Sequence, residues 1–559
     1  MAPGPRPGVD RRQFLRLAVV AGGLAGLAAC GAPTGSSSSR RTRRTTPATT
    51  RPVPGVSEVL LPNGVRVPTA RWLVEENARP GTLGWVVTGV QSPHDLEGYA
   101  NRVSAVSGDE VVLYVNTVAR SVSVQAYRMG YYQGLGGRLV FEAGPAPGQQ
   151  QAAAEVAPGV NTVSCPWAPT LSFTVDDRWP PGCYLLKLVG DGGQQQYIPL
   201  TVRDDASTAS FVLQNSVTTW QAYNLWGGYS LYYGQRPGGG RDFANRARIV
   251  SFDRPYPQTW AQGSADFFGN EFPVLYQMES LGLDMTYWTD VDLHERPQLL
   301  AGHRCLLSLG HDEYWSSPMR NGATTALSAG TNLVFLGANA CYRQIRLADS
   351  PVGPNRLQIC YKSAAEDPIS ATDPSLTTVN WDQPPLNAPE SEFIGSMYQS
   401  VGANDDLVVV DPGAWVFAGC DLGAGQVIPK VVQGEYDRFV PGGPGPANVD
   451  VFAHSPVAGQ RNWSDITYYT QPGGGGVLDT GSAAFVNKLS NTTAFPWNIV
   501  PKAIPGVTDV LLRMMVNVYG TLGLGPGSQV QPSTGNGTAV YGGAVTAPTP
   551  PPASANASQ

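Results

Sequence analysis

One stretch limits the possible architectures more than any other. Cys305-Leu306-Leu307-Ser308-Leu309-Gly310 is followed at once by His311-Asp312-Glu313-Tyr314-Trp315. The apolar run lacks strict alternation, as a strand covered on both faces does. Gly310 lets the chain turn off the strand end. Ser316-Ser317-Pro318 then reads as a helix N-cap with proline in the first turn. Strand, turn and helix make half of a βαβ unit, and open α/β sheets keep their ligands beyond the carboxyl ends of their strands. His311, Asp312 and Glu313 therefore stand where such a sheet would place its chemistry. Taken singly, each is equally well explained as a helix-capping or loop-fixing group.

The same grammar recurs around this stretch. Residues 211–214, 247–252, 284–288 and 332–337 read as strands, each running into polar or phenolic residues, and 273–281 reads as a helix stopped by Gly282. The alternation predicts an α/β C-terminal domain over residues 206–522, with a mostly parallel, amidotransferase-like open sheet. Parallel order is here an inference from alternation. Beyond Cys341, residues 406–410, 415–418, 450–453 and 465–469 read as further strands. The polar run from Gly434 to Arg438 lies between two of them, and 507–522 reads as a closing helix. Upstream, residues 56–205 hold at least six short strands separated by turn residues, which predicts an all-β sandwich domain. Tyr131, Tyr132 and Trp179 read there as hairpin and core residues rather than a glycan-binding face.

The ends of the chain read differently. Asp10-Arg11-Arg12-Gln13-Phe14-Leu15-Arg16 is a twin-arginine pattern, an apolar run follows, and Leu27-Ala28-Ala29-Cys30 has the form of a lipoprotein cleavage site. Residues 1–30 are thus expected to be an export signal. Cys30 is expected to be lipidated, anchoring the protein to the outer face of the cytoplasmic membrane. Residues 31–55 are expected to form a disordered tether, and residues 523–559, rich in Gly, Pro, Ser and Ala, a disordered tail. The net charge of −6 argues against a nucleic-acid surface. In an extracytoplasmic setting the even cysteine count left after Cys30 permits disulfides. Cys165 with Cys183 and Cys341 with Cys360 would each close a short loop.

Several chemistries are excluded. No GxSxG elbow ends a strand, Cys341 lacks the G-x-C-x-G context of an amidotransferase nucleophile, and Gly238-Gly239-Gly240 is not a phosphate loop. Carboxylate and phenolate oxygens suit a hard cation, with Fe(III) the one that phenolates favour. Tyrosine clusters are nevertheless more often packing than ligation.

Four runs carry a resemblance. They are Thr219-Trp220-Gln221-Ala222-Tyr223-Asn224-Leu225-Trp226-Gly227-Gly228-Tyr229-Ser230-Leu231-Tyr232, Ser251-Phe252-Asp253-Arg254-Pro255-Tyr256, Gly310-His311-Asp312-Glu313-Tyr314-Trp315 and Gly337-Ala338-Asn339. Together they resemble the large subunit of N,N-dimethylformamidase and its relatives, over roughly residues 210–522. The β region resembles it more weakly, through Glu97-Gly98-Tyr99-Ala100 and Tyr127-Arg128-Met129-Gly130-Tyr131-Tyr132. The resemblance implies a mononuclear iron (Fe3+) held by two tyrosines and a glutamate, hydrolysing a linear amide. By motif, the glutamate is Glu313, one tyrosine is Tyr223, and the other is Tyr256 with Tyr232 as the alternate. His311 and Asn339 would face the ligands or the substrate, and Glu435 would serve as a base. The family enzyme works with a small subunit, which this chain does not contain. A homo-oligomer and a substrate larger than dimethylformamide, derived from the envelope, are further expectations. The reading from a different class is a non-catalytic envelope lipoprotein that binds a surface glycan through the sandwich and the α/β crest.

Overall fold

Strand Gly182–Gly190 shows how the two halves of the chain are joined. In a strand successive side chains point to opposite faces. Here Leu186 and Leu188 enter one core, while Cys183 and Leu185 enter another. The first core lies between two sheets. One runs Leu171–Thr174, Glu110–Thr117, Leu96–Ala100, and the other Ser104–Ala105, Gln195–Val202, Gly182–Gly190, Ser121–Met129, Gly137–Pro147. The second core is continuous with the rest of the protein, taking in Tyr127, Met129, Leu185 and Tyr197 from the second sheet and Phe211, Leu213, Leu307 and Leu309 from beyond residue 205. The computed structural model describes residues 56–88, 92–458, 462–490 and 502–542.

The central sheet has seven strands: β1 (Phe211–Asn215), β2 (Met285–Thr289), β3 (Cys305–Gly310), β4 (Asn332–Gly337), β5 (Asp450–Val457), β6 (Asn462–Thr470) and β7 (Gly476–Asp479). They lie in the order β2-β1-β3-β4-β7-β6-β5. From β2 to β7 neighbours are parallel, and β7, β6 and β5 pair antiparallel. Helices α1 (Val217–Tyr223), α2 (Phe272–Ser280), α3 (Asp290–Glu295), α4 (Ser317–Ala329) and α5 (Val507–Leu522) pack around it. Ser316 caps α4 by accepting from Met319 N–H, and Gly330 ends it in the left-handed conformation.

The mostly parallel open α/β domain expected over 206–522 is not what forms. Of the described residues 34% are in strands and 22% in helices, with the strands spread over many mixed sheets. Outside the central sheet, segments before and after β4 build a four-stranded sheet, ordered Ile249–Ser251, Leu357–Ile359, Arg343–Ala348, Tyr314–Ser316. The chain also builds a long antiparallel ribbon of Met397–Val408 with Val427–Arg438. Strand–helix alternation reports local elements only, whereas pairing direction is set by long-range contacts that a periodicity does not contain.

Three smaller expectations change as well. Residues 415–418, read as a strand, contain a 3₁₀ turn, Trp415–Phe417. Residues 523–542, read as disordered tail, form two short helices, Gly527–Val530 and Gly537–Val540, with Gly527 and Gly537 buried. Neither disulfide is formed, since Cys165, Cys183, Cys341 and Cys360 are all free, buried thiols. Cys165 and Cys183 belong to different apolar clusters, as do Cys341 and Cys360, because a short loop brings two backbones near without aiming both side chains into one space. The export signal, Cys30, the tether and residues 543–559 lie outside the described residues. Among the described residues no helix is long and apolar enough to cross a membrane.

Candidate active site

Strands β3 and β4 end side by side, with Gly310 paired to Gly337. A Cβ on Gly337 would lie 1.5 Å from the Gly310 carbonyl oxygen, so only glycine permits this closure. The chain leaving β3 carries His311, Asp312 and Glu313. Asp312 ties it down, accepting from Ser308 Oγ (2.6 Å) and Gln214 Nε2 (3.0 Å), and the Glu313 N–H donates to Thr219 Oγ1 of α1 (3.0 Å). The chain leaving β4 carries Asn339 at a left-handed φ of 58°. Asn339 N–H donates to both oxygens of Asp437 (2.8 and 2.9 Å), which holds that strained turn in place.

Helix α1 delivers Tyr223 at its last turn. The loop after it folds back, with Leu231 N–H donating to the Ala222 carbonyl (2.9 Å), and this return brings in Tyr232. Buried Arg254 pins the loop from behind through the carbonyls of Asn224, Trp226 and Tyr229. Opposite, the parallel pairing of Tyr314 with Arg343 sets a guanidinium against the carboxylate of Glu313.

Fully buried Glu313 is the hub. It accepts from Tyr223 OH (2.7 Å), from Tyr232 OH (2.7 and 3.0 Å to its two oxygens) and from Arg343 Nε (2.8 Å). The two phenols are 3.0 Å apart with stacked rings, and Tyr314 OH donates to Tyr232 OH (2.9 Å). Lys362 Nζ donates to Tyr314 OH (2.8 Å) and lies 3.1 Å from the centroid of the Tyr232 ring, a cation–π contact. On the other side His311 Nε2 pairs with Glu435 Oε2 at 2.6 Å and lies 3.4 Å from Glu313. Asn339 Nδ2 reaches Glu435 at 3.2 Å and His311 at 3.3 Å.

The electrostatics follow from burial and charge. Burial pushes the Glu313 carboxyl upward, but Arg343, then Lys362 and His311, outweigh it and hold the group at about 2. Burial lowers His311, yet the charge and hydrogen bond of Glu435 outweigh it and raise the imidazole to about 9. Burial, then the charge of Glu313, drives the Tyr223 and Tyr232 phenols far above their ordinary value. Without a cation these phenols therefore keep their protons and donate them to Glu313.

Two phenol oxygens and a carboxylate, all hard donors, converge on one point, which is the donor set that iron(III) accepts. Among the described residues no group of three His, Cys, Asp or Glu side chains is arranged to hold a metal. This cluster falls outside that description because two of its donors are tyrosines. Arg343 would offset part of the negative charge gained when the phenols lose their protons, whereas burial, then Arg343, drives the Lys362 ammonium well below its ordinary value.

The structure brings together Tyr223, Tyr232, Glu313, His311, Asn339 and Glu435. It does not bring Tyr256, the first choice for the second tyrosine. Tyr256 packs edge-on against Trp220 and Trp260 and lines a separate cavity of about 40 Å³ with Trp220 and Arg254. Its motif sits after Ile249–Ser251, on the smaller four-stranded sheet, rather than after a central strand. Glu435, read as part of a knot between strands, lies within strand Val427–Arg438. Arg343 and Lys362 escaped the sequence reading. Arg343 sits in an ordinary strand, and nothing in the sequence marks Lys362, whose left-handed φ of 59° only the fold reveals.

A phenol–carboxylate pocket beside a His–Glu pair thus stands at the joint ends of two parallel strands. The chain belongs to the N,N-dimethylformamidase beta subunit-like, C-terminal family, whose profile matches residues 123–495. No curated protein matches the chain. Among solved structures, a Paenibacillus sp. cycloisomaltooligosaccharide glucanotransferase complexed with cycloisomaltoheptaose matches at 8% identity. The match covers 69% of this chain and 68% of that one at a TM-score of 0.16, too slight to inform the fold.

Proposed function

We propose that this protein hydrolyses a linear amide C–N bond at the Glu313 cluster, with Tyr223, Tyr232 and Glu313 holding iron. The observation that carries the reading is the convergence of both phenols on Glu313 within 3.0 Å, beside the His311–Glu435 pair. Iron bound there would supply Lewis acidity toward an amide carbonyl and a water molecule. The protein's own groups handle the protons. Glu435, oriented by Asn339 Nδ2 and His311 Nε2, takes the proton of the attacking water, and His311 Nε2 returns one to the departing amine nitrogen. Asn339 Nδ2, held at the rim by its left-handed backbone, is a donor for the developing oxyanion.

The motif at residues 10–16 and Cys30 support export by the twin-arginine route and anchoring outside the cytoplasmic membrane. In that location a peptidoglycan or glycan N-acyl group fits better than a small industrial amide. The test starts with metal content and the visible spectrum of the protein from Pro52 onward. We expect about one iron per chain, as a single mononuclear site requires, and a phenolate charge-transfer band lost in Tyr223→Phe and Tyr232→Phe but kept in Tyr256→Phe. Turnover of dimethylformamide and of cell-wall fragments is then compared. No iron after reconstitution, with glycan binding intact, would overturn the amidase reading in favour of a binding protein.

A further inference from the structure

A second set of buried acids lies on the loop that runs from Trp381 to Glu390. Glu390 is 1% exposed, and neither of its carboxylate oxygens has a hydrogen-bond partner. On the other leg of the loop, which Ala388 N–H closes by donating to the Trp381 carbonyl (2.8 Å), Asp382 Oδ1 is buried and equally without a partner. On the neighbouring residue, Trp381 Nε1 is also buried without a hydrogen-bond partner. Neither acid is in an ion pair among the described residues, because the nearby cations are engaged elsewhere. Arg320 donates to the carbonyls of Ala388 and Pro389 (2.7 and 2.9 Å) and lies over the Trp381 ring at 4.6 Å. Arg343 is bound to Glu313 and to Asn380 Oδ1.

Burying a carboxylate with nothing to bond is costly, and an orphaned buried group in a native protein marks a water or an ion. A proton shared by Glu390 and Asp382 would satisfy at most two of the three orphaned oxygens. A hard cation satisfies all three, since carboxylate oxygens are its preferred ligands and water can complete its shell. The charge environment agrees: burial, then the charge of Asp382, pushes the Glu390 carboxyl up to about 8, and Glu390 adds to the rise that burial and Asp479 give Asp437.

We propose that Glu390 and Asp382 bind a hard cation of the calcium class, through Glu390 Oε1 and Oε2 and Asp382 Oδ1, at a site separate from the Glu313 cluster. The site is structural. It closes the loop whose start, Asn380, holds the guanidinium of Arg343 and so steadies Glu313. The assignment does not depend on the amidase reading.

The test is thermal unfolding and calorimetric titration of the whole exported protein, freed of divalent ions by dialysis, with calcium, magnesium and sodium chlorides. We expect calcium to raise Tm by several degrees and to bind at the millimolar level or tighter, the range of extracellular calcium modules. Glu390→Gln is expected to abolish both effects, while Glu313→Gln keeps them. Asp382→Asn, at the less buried acid, is expected to weaken binding about tenfold, as loss of one charged ligand does, and serves if Glu390→Gln does not fold. No response to any of the three salts up to about 10 mM, beyond that range, overturns the proposal. So does an equal calcium response in both carboxamide variants, or a Glu390→Gln protein that is more stable than the wild type in calcium.

Discussion

The protein contains two buried clusters with the same cast: an arginine, a glutamate and two tyrosines. Arg128, Glu279, Tyr132 and Tyr287 form one, and Arg343, Glu313, Tyr223 and Tyr232 the other. In the first, every donor is matched. Arg128 grips Glu279 with two parallel hydrogen bonds (2.9 and 2.8 Å) and spends its remaining N–H groups on Tyr132, Tyr287 and the Pro181 carbonyl. Gly130 is required there, since a Cβ would lie 2.0 Å from a Glu279 oxygen. In the second, Arg343 reaches Glu313 with one nitrogen only, two phenols crowd the same carboxylate, and a His–Glu pair stands beside it. The first cluster is a clamp between the second β-sheet of the N-terminal region and helix α2. The second holds polar groups on one side of a carboxylate in a form that a cation can exchange for protons. Identical residue types thus give a structural lock where the fork is complete and, where it is not, the pocket proposed above as the active site.

The largest expected effect comes from breaking the lock. Arg128→Met should cost about 3–5 kcal/mol of stability in urea unfolding by stranding a buried carboxylate, with the iron band of the surviving folded protein unchanged. A bleached band in that protein would mean the two clusters are not independent. Next is the crest: His311→Ala and Glu435→Gln should lower amide turnover by about 10²–10⁴-fold with iron content retained, whereas equal losses of iron and turnover would make the pair a structural support. A matched pair of phenol variants sharpens the contrast. Tyr287→Phe should cost roughly 1–2 kcal/mol of stability and leave the band, and Tyr232→Phe should remove the band. Similar spectra for the two would dissolve the distinction.

The smallest effect is a pH signature confined to the lock side. Lys187, buried in strand Gly182–Gly190 with its ammonium on the Gly84 and Val86 carbonyls, is lowered by burial from 10.5 to about 8. Between these values the unfolded chain binds the proton that the folded chain has released, so stability rises with pH from about 8 to 10.5. Lys187→Met should flatten that rise, and an unchanged slope would place its origin elsewhere.

The motif around Arg128 resembled the family more weakly than the runs at the crest did, and it marks packing. The run at residues 310–315 was legible because a glycine-ended apolar strand followed by three polar residues has few homes other than a strand end. Tyr223 was legible from its motif. The choice between Tyr232 and Tyr256 was not, because it depends on which loop folds back over α1. Arg343 and Lys362 were invisible for the same reason: they reach Glu313 from strands and turns distant in sequence, through pairings that no local pattern encodes.

Sequence alone thus determined the elements: strands from apolar runs, turns from glycine, α4 from its cap, and the polar groups that follow β3 and β4. These depend on neighbours within a few residues. Tertiary structure decided how the strands pair, that four cysteines stay free, that residues 523–542 are ordered, and which tyrosine meets Glu313. The physical reason is that each of these outcomes depends on contacts between segments far apart in the chain, where packing and burial outweigh local preference.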